Sequence, residues 1–206
     1  MKANLIAIFL ILFTSASMTA AATPYKPYYP GAHYNTQPQA TAETPATILK
    51  AGITKLTAFI KSGKATNNAQ AMHYLQTEIM PYFDFAYMTR WAAGPAWRHM
   101  ETSQRTRMQT ELTEAFLTTL AQKLTTYSNQ QIRYFTPRGR SGDEVMVSAW
   151  IMQPNGPPTK LDFRFYKSKQ GWKIFDVKAG GNSAVVYYRN QFKNLFRYPN
   201  QARYQH

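Results

Sequence analysis

Side chains able to do acid–base chemistry are few and scattered in this sequence. Asp162 and Asp176 sit in stretches of alternating apolar residues and Glu144 opens another, with no histidine nearby in the chain. A pocket catalyst needs an acid and a base held in register, and this set supplies carboxylates without a matching base. The four histidines, at 33, 73, 99 and 206, form no pair at metal-ligand spacing. His99, beside Arg98, reads as a surface or capping residue. With no cysteine, thiol catalysis, disulfides, iron–sulfur clusters, Cys-ligated zinc and a lipoprotein anchor are excluded. No catalytic residue, metal or cofactor is expected.

Cationic and apolar residues are what the chain has in excess. Of 206 residues, 24 are Lys or Arg and 10 are Asp or Glu, a formal charge of +14, while 44% are hydrophobic. Such a chain is suited to an acidic partner: nucleic acid, anionic lipid or an acidic protein.

Export narrows that choice. Met1 and Lys2, the apolar run Leu5 to Phe13 and the small residues Thr14 to Ala22 read as a secretory signal peptide over residues 1–22. The run is far shorter than the roughly 20 apolar residues that span a bilayer. The mature chain is expected to begin near Thr23 and to be exported, most simply to a periplasm. That placement, and the spread of Lys and Arg through all segments, argues against nucleic acid. Residues 23–44, with Pro24, Pro27, Pro30 and Pro38 among Tyr25, Tyr28, Tyr29 and Tyr34, have too little aliphatic content for a core and read as a flexible tail. Residues 45–206 are then a single domain.

Periodicity assigns the elements of that domain. Thr44 and Pro45 open a helix whose Ile48, Leu49, Ile53, Leu56, Phe59 and Ile60 recur at helical spacing up to Gly63. A weaker helix covers Asn68 to Glu78 until Pro81 interrupts it, and Asp84 caps a short helix ending near Gly94. Met108, Leu112, Phe116, Leu120 and Leu124 mark one long helix from Thr102 to about Ser128. Four strands follow, over 132–136, 144–152, 159–167 and 171–178, and their short connections predict a four-stranded antiparallel meander. A closing helix runs from Ser183 to about Phe196. The class is α+β.

Alternation sorts the strand residues into faces. Val145, Val147, Ala149 and Ile151 share one face, Leu161, Phe163 and Phe165 another, and the last strand is apolar on both sides, with Trp172 and Ile174 against Phe175 and Val177. A strand apolar on both faces must be covered on both. A filled core and an apolar pocket fit this pattern equally, and Trp97 and Trp172 read as core anchors.

Three stretches in register point further. Ile79, Met80, Pro81, Phe83, Asp84 and Phe85 precede Gly94, Trp97, Arg98, Gln104 and Arg105. Then come Trp172, Lys173, Phe175, Asp176 and Val177, and finally Ser183, Val185, Val186, Tyr188, Arg189, Gln191 and Phe192. From Pro45 to Phe196 the chain resembles the periplasmic phospholipid-binding family of the Mla pathway, also described as the toluene-tolerance Ttg2D family. It departs at Asn182, where the family favours an aliphatic residue, and over the Tyr/Pro-rich tail.

The resemblance implies helices, sheet and closing helix around an apolar cavity that holds the acyl chains of a phospholipid. Its candidate lining is Val147, Ala149, Ile151, Phe163, Phe165, Phe175, Val186, Tyr188 and Phe192. Arg189 is placed either near the lipid phosphate or paired with an acid such as Asp176. The implied role is a carrier moving lipid between an outer-membrane lipoprotein complex and an inner-membrane ABC transporter with an MCE-domain protein. No covalent chemistry is implied, and contact with the membrane surface would be transient. Two acyl tails expose roughly 30 methylenes, at about 0.8 kcal/mol each on the order of 24 kcal/mol against water, so the container must be nearly as apolar as a bilayer. The rival readings are a small exported enzyme of cone-shaped α+β fold acting on an apolar substrate, and a carrier of another lipid such as a hopanoid.

Overall fold

The computed structural model describes residues 43–124 and 130–197, all within the unit Ala40–His206. The expected signal peptide and residues 23–42 of the expected tail lie outside the described residues.

Helix α1 (Pro45–Lys61) begins where the sequence signals a start. Thr44 and Thr47 close a capping box, each side chain taking the other's backbone N–H, and Pro45 fills a first-turn position with no N–H to satisfy. Gly63, at φ +76°, takes the left-handed turn that ends it. Helix α2 (Asn68–Tyr74), capped by Asn67, widens into a π-helical turn over Leu75–Ile79 and then tightens into a 3-10 turn over Met80–Tyr82. Pro81 is the physical cause: it has no N–H to donate, and its ring crowds the carbonyl four residues back. Asp84 caps α3 (Phe85–Ala93), its Oδ1 accepting the Tyr87 amide at 2.8 Å. A 3-10 segment, Gly94–His99, leads to α4 (Thr102–Leu124).

The sheet has six strands where four were expected. They are β1 (Ile132–Tyr134), β2 (Arg138–Ser141), β3 (Glu144–Ile151), β4 (Thr159–Ser168), β5 (Gly171–Ala179) and β6 (Asn182–Ser183), followed by α5 (Ala184–Arg197). The meander order survives, because β1 and β2 pair with opposite ends of β3 and β6 is a two-residue return beside β5. Both additions are too short to show a period of two in the sequence. All pairings are antiparallel.

Two apolar layers result. Helix α1 lays Ile48 and Leu49 on one sheet face, against Val147, Ala149, Phe165 and Ile174. The helices form their own core around Leu75, Met88, Met108 and Leu112, closed by Tyr188 and Phe192 of α5. Burying each such aliphatic side chain contributes about 1.5–3 kcal/mol. Tyr82 and Phe83 touch both layers, and the Asp84 amide donates to the Ile174 carbonyl at 2.9 Å, fastening the helical part to β5.

Candidate functional site

The strand register decides which of the expected lining residues meet. Val147 pairs with Phe163, Val145 with Phe165 and Ala149 with Leu161, so one face carries them all, together with Ile151. Val147, Ala149 and Phe165 are 1%, 0% and 0% exposed beneath α1, while Phe163 is half-buried beside them.

Phe175 is not on that face. Arg164 pairs with Asp176 and Phe165 with Ile174, so β5 spends one extra residue in a bulge. The bulge turns Phe175 to the opposite side, where it packs against Tyr87, Trp91 and Tyr166, with the Arg164 guanidinium 4.6 Å from its ring centre. Strict alternation cannot anticipate such a slip.

The residues named on α5 separate as well. Val185, Tyr188 and Phe192 follow the helical period into the core, which leaves Val186 pointing out and 49% exposed. Burial pushes the Tyr188 phenol up to about 12, with Tyr187 adding to it. Arg189 donates from Nη2 to the Trp91 carbonyl at 2.6 Å, and its Nε is buried without a hydrogen-bond partner. Asp176 is engaged elsewhere. Its carboxylate accepts the Ser183 hydroxyl at 2.8–2.9 Å and the Val185 amide at 3.2 Å, and lies 3.6 Å from Arg164. Asp176 thus caps α5 from a neighbouring strand.

Sequence reasoning missed an open cleft of about 640 Å³ at the edge of the α1–sheet layer. Ile48, Pro81, Tyr82 and Trp172 form its apolar wall, and Lys55, Lys167 and Lys173 stand on its rim with Glu43 and Glu78. Three elements build it: α1, the irregular turn forced by Pro81, and the β4–β5 hairpin. Lys55 Nζ bonds Glu78 Oε2 at 2.8 Å, a hydrogen bond that holds the ammonium pKa above its ordinary value, and Lys173 Nζ donates to the Pro81 carbonyl at 2.8 Å. Ile48, Tyr82 and Trp172 belong to both the cleft and the layer holding Val147, Ala149 and Phe165. Trp172, expected as a core anchor, is therefore half-buried at a mouth. The interruption at Pro81 was the available signal. A smaller groove of about 290 Å³ runs between α4 and α5 beside Tyr188 and Phe192.

An apolar wall under a cationic rim takes an amphiphile, with the tail inside and an anionic head at the edge. Among the described residues no group of His, Asp and Glu could hold a metal ion, and no helix is long and apolar enough to cross a membrane.

Comparison with known proteins agrees with this chemistry. A protein of Haemophilus influenzae, the intermembrane phospholipid transport system binding protein MlaC, is 29% identical over 156 residues, 71% of this chain and 72% of its own. A solved structure of a phospholipid-binding protein from Ralstonia solanacearum, in complex with a phospholipid, superposes with a TM-score of 0.67 at 26% identity. The match covers 74% of this chain and 87% of that one. The MlaC protein family model matches residues 50–200. This chain belongs to the MlaC family.

Proposed function

We propose that this protein is a periplasmic phospholipid carrier that shuttles lipid between outer and inner membranes. The acyl chains would enter at the cleft beside Trp172 and lie between α1 and the sheet face of Val147, Ala149, Ile151, Phe163 and Phe165. Its donors and acceptors would be an outer-membrane lipoprotein complex and an inner-membrane ABC transporter with an MCE-domain protein. No covalent step is assigned, and Tyr188, Phe192, Phe175 and Arg189 serve the surrounding frame.

One observation carries the reading: the cleft shares Ile48, Tyr82 and Trp172 with the apolar layer under α1. A tail entering there meets hydrocarbon continuously, and each methylene transferred is worth about 0.8 kcal/mol. The lysines at the rim stay in water, where a lipid phosphate would also stay. The Haemophilus and Ralstonia relatives, named for phospholipid transport and phospholipid binding, support the same class of cargo.

A diacyl phospholipid carrying a photoreactive group in one acyl chain tests the placement. After irradiation, peptides containing Ile48, Tyr82 or Trp172 should carry the adduct. Adducts confined to the α4–α5 groove at Tyr188 and Phe192, or no adduct at all, would overturn it.

A further inference from the structure

The sheet face opposite α1 carries a row of side chains that the carrier reading leaves unused. Arg133 pairs with Trp150 across β1 and β3, and Trp150 pairs with Lys160 across β3 and β4, so the three point to the same side. Phe135, next on that side after β1, stacks near Trp150 at 4.5 Å between ring centres. The Arg133 guanidinium lies 5.4 Å from the Phe135 ring centre, and the Lys160 ammonium 4.7 Å from that of Trp150. Two aromatic rings are thus held between two cations, with both cations exposed and both rings half-buried.

Charge on this face is one-sided. Arg138, opposite Met146, and Lys178, opposite Asp162, extend the cationic row. Asp162 accepts the Ser148 hydroxyl at 2.6 Å, Glu144 pairs with Arg164, and Asp176 is buried at the start of α5. Helices α3 and α5 pack on β5, away from the β1–β3 edge where the ladder stands. Indole rings favour the headgroup depth of a bilayer, and lysines and arginines near an anionic leaflet bind it electrostatically.

We propose that the β1–β3–β4 face, centred on Trp150 between Arg133 and Lys160, is a docking surface for anionic bilayers. It lies on the side of the sheet away from α1, so a docked molecule would keep the α1 layer off the membrane plane. The proposal does not depend on which lipid is carried, or on whether one is carried.

Sedimentation of the full protein with vesicles of phosphatidylglycerol and phosphatidylcholine in equal parts tests it, at about 0.02 M and about 0.5 M salt. The wild type should partition at low salt, weaken at high salt, and ignore vesicles of phosphatidylcholine alone. Arg133→Glu with Lys160→Glu should reduce partitioning by at least about 25-fold, about fivefold for each charge neutralised. Lys50→Glu with Lys61→Glu on α1 changes the net charge equally and should cost far less. Equal losses in the two double variants, or none in the first, would overturn the proposal, and unchanged vesicle binding would leave the face to an acidic protein. If the glutamate pair does not fold, Arg133→Gln with Lys160→Gln should still show a loss of about fivefold or more. Fluorescence quenching by a doxyl-labelled lipid should fall in Trp150→Phe and persist in Trp172→Phe; the reverse pattern would also overturn it.

Discussion

Arg189 of α5 donates a hydrogen bond from Nη2 to the carbonyl oxygen of Trp91, 2.6 Å away in the last turn of α3. Carbonyls in a last helical turn lack intrahelical partners and carry the negative end of the helix dipole, so a guanidinium there both caps α3 and ties α5 to it. Replacing Arg189 with Met should lower stability by about 1.5–3 kcal/mol, read from the urea midpoint. Lysine should rescue only part, being a point charge without the planar fork. Lipid retention should be unchanged in the folded fraction; its selective loss would instead place the guanidinium at the lipid phosphate.

Asp176 is fully buried and serves three partners, Ser183, Val185 and Arg164. Asp176→Ala leaves Arg164 without this partner and the α5 amide without its cap, so a loss of about 3–5 kcal/mol is expected by denaturant unfolding. Asp176→Asn keeps the shape and one acceptor and should cost less.

Ala149 has no exposed surface and faces α1 across the apolar layer. Ala149→Trp should overpack that layer in lipid-depleted protein, costing about 1–3 kcal/mol or more. It should also block uptake of lipid from vesicles. A variant that unfolds less readily than wild type, or that takes up lipid normally, would show that this layer is not where the chains lie.

Two buried phenols set an alkaline limit. The Tyr188 pKa rises from 10.0 to about 12 and that of Tyr166 also rises, both chiefly by burial, with the Asp84 carboxylate reinforcing the effect at Tyr166. Unfolded tyrosine loses its proton near pH 10 while the folded one keeps it, so stability is intact below pH 10 and declines as pH rises toward 12. Tyr188→Phe should remove on the order of 2–3 kcal/mol of that decline, read from unfolding midpoints across the interval.

Long elements were legible in the sequence because each has enough turns or alternations to show its period. Thr44, Pro45, Asp84 and Gly63 marked ends through local chemistry, and the structure puts each in the expected cap or turn. The α+β class followed from their order. Legibility stopped where placement depended on partners distant in sequence. The bulge that turns Phe175 over arises from the pairing of Arg164 with Asp176, which no feature of β5 alone announces. Val186 sits beside residues that do turn inward, and only the packing of α5 on α3 and α4 fixes that rotation. The cleft is invisible in any one segment, because Lys55, Pro81 and Trp172 converge from three of them.

Native mass spectrometry of protein purified without detergent or denaturant tests the carrier account most directly. The account predicts a population shifted by the mass of one diacyl phospholipid, released on collisional activation and regained when stripped protein is mixed with phospholipid vesicles. Protein that emerges lipid-free from gentle purification and takes nothing from those vesicles would contradict it.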